Sequence, residues 1–294
     1  MKKISIFTIA GVILLLATSL FQYFSFNDGR LHVTFCNVGQ GDAIFITTPT
    51  NKHILIDSGP DARVLGCLSN HMPFWDRTID MVLLTHPHAD HFMGIYHLLD
   101  RYTILSFDTE KLVNKSASFK ELLGEIDKRK IPIRYLLKSD KFTIKGKDIQ
   151  KDVVISIAGP SQEYLSKTSP NGLIGETKEF ASVLSHVSYG AFDALFTGDS
   201  QAIGLVDGID SLDRKANRLE VLQIPHHGSR FGLSEEIVEE LHPAIAIASV
   251  GKNSYGHPAK VILDMFQKQH IPVLRTDRGS DVEIVTDGKE WEVN

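Results

Sequence analysis

Three histidines and one aspartate fall within six residues in the stretch Thr85-His86-Pro87-His88-Ala89-Asp90-His91. The stretch follows an apolar run that predicts a β-strand over Asp80–Thr85, and it precedes a helical pattern over Asp90–Arg101. The side chains therefore collect at the point where a strand passes into a helix. This arrangement favours a metal site over a polar loop of solvated histidines.

The spacing divides the four side chains into two pairs. Residues at i and i+2 of an extended chain point to the same side, so we expect His86 and His88 to bind one ion. Asp90 and His91 stand at the predicted helix start, where the dipole favours a carboxylate, and we expect them to bind a second ion. This ligand set suits zinc, manganese or iron and not calcium.

Short strands and helices alternate from Leu31 onward, without an internal repeat or a low-complexity linker, and predict one α/β domain over residues 31–294. The predicted strands are Leu31–Asn37, Ala43–Thr48, His53–Asp57, Met81–Thr85, Phe180–Ser188, Ala191–Thr197, Leu219–Ile224, Ala244–Val250, Pro272–Thr276 and Asp281–Val285. The predicted helices are Ala62–Met72, Asp90–Arg101, Ser118–Lys130, Ser234–Leu241 and Pro258–Gln269. Residues 131–165 are expected to alternate strands and turns, and residues 166–178 to be looser.

Residues 1–30 have the pattern of an export segment. Lys2 and Lys3 precede an uncharged run, Ile4–Phe26, which as a helix would span roughly 34 Å and cross a bilayer. A cleaved signal peptide is the alternative, with a small-residue cleavage site at Ala17-Thr18-Ser19. Either interpretation places the rest of the chain outside the cytoplasm, anchored or secreted.

The composition is that of an ordinary globular protein and excludes collagen-like, coiled-coil and wholly disordered chains. With 31 basic and 36 acidic residues, the net charge of −5 argues against a protein that coats nucleic acid. The two cysteines, Cys36 and Cys67, are too few for a disulfide scaffold or a four-cysteine zinc site. Cys36 lies in an apolar alternating run and is expected to be a buried thiol.

Further motifs follow along the chain. Asp57 ends a predicted strand, Gly198-Asp199 follows another, and a Pro-His-His-Gly-Ser run at 225–229 ends a third. Together with the His-x-His-x-Asp-His stretch, this order resembles the metallo-β-lactamase superfamily. The resemblance implies a four-layer αβ/βα sandwich, in which two mixed β-sheets are flanked by helices and the metals lie at one edge. It also implies that Asp57 supports the metal loop, that Asp199 bridges two ions and that His226 is the last metal-binding histidine.

Three motifs narrow the resemblance: Asn37-Val38-Gly39-Gln40-Gly41-Asp42, the run at 225–229, and Ser254-Tyr255-Gly256-His257-Pro258. Together they are similar to the hydrolase domain of ComEC-type competence proteins and to its free-standing relatives. The similarity covers nearly all of Leu31–Asp287. The sequence after residue 30 has no run apolar enough to cross a bilayer, so we expect a hydrolase module without a channel of its own.

One departure from the superfamily concerns the ion bound by His86 and His88. Most two-metal members carry a further histidine ahead of the Gly-Asp motif, where this chain has Glu179-Phe180-Ala181-Ser182-Val183-Leu184. His186 is close by but falls inside the predicted strand, and we interpret it as structural. We therefore expect two divalent ions, zinc or manganese, with one site weak or completed by water.

The resemblance and the chemistry of these residue types assign provisional roles. Asp199 would bridge the ions around a hydroxide nucleophile, and Asp90, His91 and His226 would bind or share the second ion. If the strand continues, His227 points the opposite way from His226, and it is expected either to support a ligand or to contact substrate, with a purely structural role as the alternative. His257 would protonate the leaving oxygen or hold a phosphate at a helix start, or merely cap that helix. The predicted substrate contacts are Arg230, Lys252 and Tyr255.

The resulting hypothesis is an exported metal-dependent hydrolase, namely a phosphodiesterase or nuclease. In one alternative, the hydrolysed bond belongs to a wall phosphocholine ester, a lactone or a β-lactam, because a fold does not decide the substrate. Another is a non-catalytic, metal-bound surface protein. Nucleic acid is a candidate substrate, the N-terminal segment would contact the membrane, and the sequence leaves the oligomeric state open.

Overall fold

Two β-sheets packed face to face form the centre of the computed structural model, which describes residues 6–146, 152–177, 181–212 and 219–294. The helices are α1 Ile6–Phe26, α2 Arg63–His71, α3 Ala89–Phe92, α4 Ile95–Leu99, α5 Ala117–Lys128, α6 Gln162–Thr168, α7 Ala202–Ile209, α8 Glu235–Leu241 and α9 Lys260–Lys268. The strands are β1 Leu31–Phe35, β2 Ile44–Thr47, β3 His53–Ile56, β4 Thr78–Ile79, β5 Met81–Leu84, β6 Thr103–Ile104, β7 Phe107–Thr109, β8 Ile133–Tyr135, β9 Lys141–Ile144, β10 Val153–Gly159, β11 Leu184–Tyr189, β12 Phe192–Phe196, β13 Val221–Gln223, β14 Ile245–Ala248, β15 Val273–Arg275, β16 Val282–Thr286 and β17 Trp291–Val293.

Both large sheets are mixed, as the resemblance predicts. The first has the order β17-β16-β1-β2-β3-β5-β7-β8, with parallel pairing from β3 to β8. The second has the order β15-β14-β13-β12-β11-β10-β9, with parallel pairing from β12 to β15. β4 and β6 form a separate two-stranded sheet.

Alternating side chains of the buried strands pack into different hydrophobic cores, and this separates the layers. In β3, Ile54 and Ile56 pack into the core between the two sheets, whereas Leu55 packs into an outer core with α2, α4 and α5. The outer face of the second sheet is covered in the same way by α7, α8 and α9. The order helices–sheet–sheet–helices confirms the predicted four-layer αβ/βα sandwich.

Loops that follow parallel strands of both sheets meet at one edge of this sandwich. Asp57 and Thr85 follow β3 and β5 in the first sheet, while residues 197–199 and 224–229 follow β12 and β13 in the second. Val183 N–H donates to Thr85 O (2.8 Å) and His226 N–H to Gly198 O (2.9 Å), and these hydrogen bonds tie the loops together. The motifs that the sequence analysis singled out therefore lie together at this edge.

Several predicted boundaries change in the structure. The single helix predicted over Asp90–Arg101 is two short helices, because the Gly94 N–H donates to Gly59 O (2.9 Å) and holds the chain against that loop. The helix predicted from Pro258 begins only at Lys260, because Ala259 N–H donates to Gly228 O (2.8 Å) instead. Helices α6 and α7 and strands β4, β6, β7 and β17 were not predicted. The strand predicted from Phe180 begins at Leu184, and residues 178–180 lie outside the described residues.

Cys36 and Cys67 form a disulfide, so the prediction of a free buried thiol at Cys36 is wrong. α2 packs on the segment after β1 and brings the two Cα atoms to 5.7 Å. The partners lie 31 residues apart, and nothing in the local pattern around either cysteine indicates that contact. The bond fixes the start of the Asn37–Asp42 loop to α2.

The N-terminal segment forms α1, an exposed apolar helix whose residues 7–26 are long and apolar enough to cross a membrane by length and composition. A signal sequence meets the same test, so the choice between anchor and signal stays open. Lys2 and Lys3 lie outside the described residues.

Candidate metal centre

Asp57 organises the metal-binding stretch from behind, in the supporting position that the resemblance implies. Its buried carboxylate accepts hydrogen bonds from Thr85 N–H (2.8 Å) and the Thr85 hydroxyl (2.7 Å). It also lies 2.8 Å from His91 Nδ1. A carboxylate at this nitrogen fixes the tautomer in which Nδ1 carries the proton, so the lone pair of His91 Nε2 is available to a cation.

Four groups of described residues have ligand atoms close enough together to hold an ion, and two of these groups meet at Asp199. One consists of His86, His88 and Asp199, and the other consists of Asp90, His91, Asp199 and His227. Within each cluster the ligand atoms lie within 4.8 Å of one another. Asp199 belongs to both clusters, with Oδ1 3.3 Å from His91 Nε2 and Oδ2 3.7 Å from His86 Nε2.

The histidine pair at 226–227 differs from the sequence-based expectation. Strand β13 ends at Gln223, and both histidines adopt left-handed backbone angles, with φ of 51° and 55°. The alternation of an extended strand therefore does not apply, and the prediction that His227 points away from the site is wrong. His227 is buried, and its Nε2 lies 3.4 Å from Asp90 Oδ2 and 3.5 Å from Asp199 Oδ1.

His226 takes the more exposed position of the pair. Its Nε2 lies 3.5 Å from Asp199 Oδ2, the oxygen that faces His86, whereas His227 faces Oδ1. The expected partner of Asp90 and His91 was His226, but the structure groups His227 with them. Metal binding by His226 stays a prediction.

Asp42 and Gln223 support this edge and had no predicted role. Gln223 donates from Nε2 to Asp42 Oδ2 (2.8 Å) and accepts at Oε1 from Thr197 N–H (2.8 Å). His227 Nδ1 lies 2.9 Å from Ser249 O and 3.5 Å from Asp42 Oδ1, which leaves Nε2 for the site. A glutamine inside an otherwise apolar strand, and an aspartate that closes the 37–42 motif, were the available signals.

Burial and charge in these clusters fit a divalent cation. His91 Nε2, Asp199 Oδ1 and His227 Nε2 are buried atoms without a hydrogen-bond partner in the described part of the chain. Burial alone would lower the pKa of His91 and of His227, but the carboxylates around each, with Asp199 the strongest, raise it well above the usual range. The carboxylates therefore favour a positive charge at this place. A ligand set of carboxylates and imidazoles suits a transition metal.

A cleft of about 240 Å³ opens over these atoms. Its lining residues are Gln40, His88, Asp90, Asp199, His226, His227, Tyr255 and His257. The rings of His257 and His226 are 5.8 Å apart, and the buried Nδ1 of His257 makes no hydrogen bond within the described residues. Burial and then the neighbouring His226 lower the pKa of His257.

The remaining predicted residues divide between the cleft and the outer surface. Tyr255 lies at the rim with 75% of its surface exposed. Arg230 and Lys252 are also exposed but do not line the cleft, so their contact with substrate stays a prediction. His186 is buried in β11 with Nε2 3.1 Å from Asp193 Oδ1, which fits its structural interpretation. Glu179 and Phe180, in the stretch where the superfamily carries its further histidine, lie outside the described residues.

Comparison with known proteins agrees with this geometry. The sequence model of the Metallo-beta-lactamase superfamily matches residues 36–107. The chain is 25% identical to ComE operon protein 3 of Bacillus subtilis over 275 residues, which cover 85% of this chain and 32% of that protein. It is 22% identical to Recombination protein 2 of Haemophilus influenzae over 289 residues, 96% of this chain and 32% of that protein. The chain thus spans about a third of the length of these relatives.

Among solved structures, the metallo-beta-lactamase fold protein YhfI from Bacillus subtilis superposes with a TM-score of 0.56. The two are 14% identical, and the match covers 86% of this chain and 99% of YhfI. At this identity the likeness concerns the fold. Together with the motif order and the paired ligand clusters, these findings support a metal-dependent hydrolase with the metallo-beta-lactamase fold, similar to ComEC-type proteins.

Proposed function

We propose that the chain is an exported phosphodiesterase, and the observation that carries this proposal is the sharing of Asp199 by two ligand clusters. One carboxylate common to both clusters would keep two ions side by side. When bound, two such ions stabilise the entering and leaving oxygens of a phosphodiester and lower the pKa of water to about 7.

The residues behind the ligands prepare the site for this chemistry. Asp57 holds the Nδ1 of His91, and Ser249 O accepts from the Nδ1 of His227, so both Nε2 atoms are oriented before a cation arrives. Each of these two rings is buried and fixed by the fold. Such preorganised groups avoid the cost of rearrangement during the reaction.

His257 is the proposed contact of the leaving oxygen. It lines the cleft, and the Asn253 side chain holds its backbone by accepting from His257 N–H (3.1 Å) and donating to His257 O (2.9 Å). Replacing His257 with alanine should lower kcat on a diester with a poor leaving group by about 10²–10⁴-fold. The loss should be smaller for nitrophenolate, which leaves without a proton, while the metal content stays unchanged.

Export is supported by two features of the chain. α1 is apolar, exposed and long enough to cross a bilayer. The Cys36–Cys67 disulfide is typical of proteins that fold outside the reducing cytoplasm. We infer that residues 31–294 work on the outer side of the membrane, as the anchored form or after cleavage of a signal.

A substrate panel tests the proposed activity. The full chain, loaded with manganese or zinc, is assayed on bis(p-nitrophenyl) phosphate, single-stranded DNA, p-nitrophenylphosphorylcholine, nitrocefin and a homoserine lactone. We expect turnover of the diester and of DNA, lost in Asp199→Asn and kept in His97→Ala, which alters an exposed histidine on α4. Turnover confined to another bond would reject the phosphodiesterase, and none with either metal would favour a non-catalytic protein.

A further inference from the structure

We propose that Gln40 is a substrate-binding residue whose side-chain amide donates a hydrogen bond to an anionic oxygen of the substrate; this rests on the proposed phosphodiesterase function. Gln40 lies in the centre of the 37–42 motif, and its side chain lines the same cleft as Asp90, Asp199 and His227. The ligand class is a phosphate ester oxygen, or the equivalent oxygen of free phosphate.

The backbone around Gln40 is held tightly against the metal-binding stretch. Gly39 and Gly41 have φ angles of 77° and 145°, and a Cβ at Gly41 would overlap Asp90 O. The Asp42 N–H donates to that same carbonyl at 3.3 Å. Gly41 thus lets the chain pass directly beside Asp90, and this close approach places Gln40 at the cleft.

The orientation of the amide follows from its partner. Gly251 N–H lies 3.3 Å from Gln40 Oε1, and a backbone N–H needs an acceptor, so the oxygen is the atom on that side. A Cβ at Gly251 would overlap Gly39 and Gln40, so this contact also depends on close backbone packing. With its oxygen engaged by Gly251, the amide is not presented to the cleft as a metal ligand.

The side-chain amide nitrogen of Gln40 is the atom that can donate a hydrogen bond to a ligand. Within the described residues, Gln40 Nε2 donates no hydrogen bond, although the residue is half-buried at the cleft. Asp90 and Asp199 repel an anion that enters, and the exposed cations Arg230 and Lys252 do not line the cleft. The Gln40 amide N–H can therefore attract an anionic oxygen. Because the amide is neutral, it does not compete with a metal cation for the carboxylates.

The test measures phosphate binding by the metal-loaded full chain. Isothermal titration with inorganic phosphate is compared for the wild type, Gln40→Leu, Gln40→Glu and the control Gln267→Leu on the exposed face of α9. Losing a hydrogen bond to a charged group should raise the dissociation constant about tenfold or more in Gln40→Leu. Gln40→Glu should weaken binding further by repulsion, while Gln267→Leu and the metal content of all variants stay unchanged.

Two results would overturn the inference. Phosphate binding that is absent in the wild type, or equal in the wild type and both Gln40 variants, excludes the contact. Loss of metal in parallel with phosphate in Gln40→Leu and Gln40→Glu would show that the loop shapes the metal site instead. If Gln40→Leu does not fold, the nearly isosteric Gln40→Glu decides alone.

The inference and the proposed activity can fail separately. Phosphate binding that depends on Gln40, in a protein that hydrolyses no diester, keeps the contact and rejects the phosphodiesterase. Hydrolysis of diesters with kinetic constants indifferent to Gln40 keeps the activity and rejects the contact.

Discussion

The two ligand clusters lie side by side, yet the fold holds them differently. In the cluster of Asp90, His91, Asp199 and His227, two rings are fixed from behind by Asp57 and Ser249 O. In the other cluster, His86 Nε2 and His88 Nδ1 lie 2.9 Å apart, so the two rings contact each other. Both rings of the first cluster are fixed from behind, whereas in the second only His86 has such a contact, from its Nδ1 to the Thr85 hydroxyl (3.1 Å), and His88 contacts His86 instead. We therefore expect the two ions to differ in affinity.

The largest effect should follow from changing the residue that the clusters share. Asp199→Asn removes the carboxylate charge from both, and we expect loss of both ions and a fall in diester hydrolysis of at least about 10³-fold. Metal analysis by mass spectrometry and steady-state rates measure this, with His97→Ala as the control. A variant that keeps one tightly bound ion and most of its activity would show that the clusters are independent.

The clusters can be separated by one substitution in each. Asp90→Ala should remove the more tightly bound ion, whereas His88→Ala should remove the weaker one and leave one ion that resists a chelator. In the wild type, a chelator titration should then proceed in two steps. Removal of both ions in a single step, or a tighter ion surviving in Asp90→Ala, would reverse the proposed order of affinity.

A smaller effect should come from the carboxylate behind one cluster. Asp57→Asn weakens the acceptor at His91 Nδ1, and the affinity for the Asp90–His91 ion should fall about 10–100-fold. The ion of the His86–His88 cluster should change much less. Equal weakening of both ions would mean that Asp57 holds the whole edge together rather than one histidine.

The smallest effect on the metal centre is expected from His71, the last residue of α2. His71 Nε2 lies 3.3 Å from Asp281 Oδ2, and its Nδ1 lies 3.4 Å from Glu283 Oε1. Burial alone would lower the pKa of His71, but hydrogen bonds to these two carboxylates outweigh it and raise the pKa to about 9.

Because the folded-state pKa exceeds the unfolded value, this stabilisation is full below about pH 6.5 and is lost as the pH rises through about 9. The free energy of unfolding should fall by up to about 3 kcal/mol over that range, and by less in His71→Gln. Denaturant unfolding at several pH values measures it. Equal pH dependence in the wild type and His71→Gln would exclude His71 as the cause. A changed metal affinity in His71→Gln would show that His71 influences the metal centre.

Short sequence patterns were sufficient to predict the features that lie within one segment of the chain. The 85–91 stretch was predicted from its spacing and the strands from their apolar runs, whereas the role of the Gly-Asp motif came from the resemblance. The structure brings both motifs to one sheet edge. His227 was misplaced because alternation assumes an extended strand, while residues 225–228 form a tight turn with left-handed angles. The sequence shows the histidines but not that turn.

Contacts between distant segments account for the rest. Asp42 meets Gln223 across 181 positions of sequence, and Cys36 meets Cys67 only because α2 packs on the segment after β1. Helix α7 was missed because glycines interrupt its apolar pattern at Gly204 and Gly208, which pack closely against Tyr164 and Leu184. Such pairings are set by the tertiary fold, and a single sequence carries no direct signal for them.

The central claim, two ions joined through Asp199, is tested most directly by electron paramagnetic resonance of the manganese-loaded full chain. We predict two manganese ions per chain with a spin-coupled spectrum, and loss of the coupling in Asp199→Asn. A spectrum of isolated manganese at every loading, or a maximum of one ion per chain, would contradict the shared site.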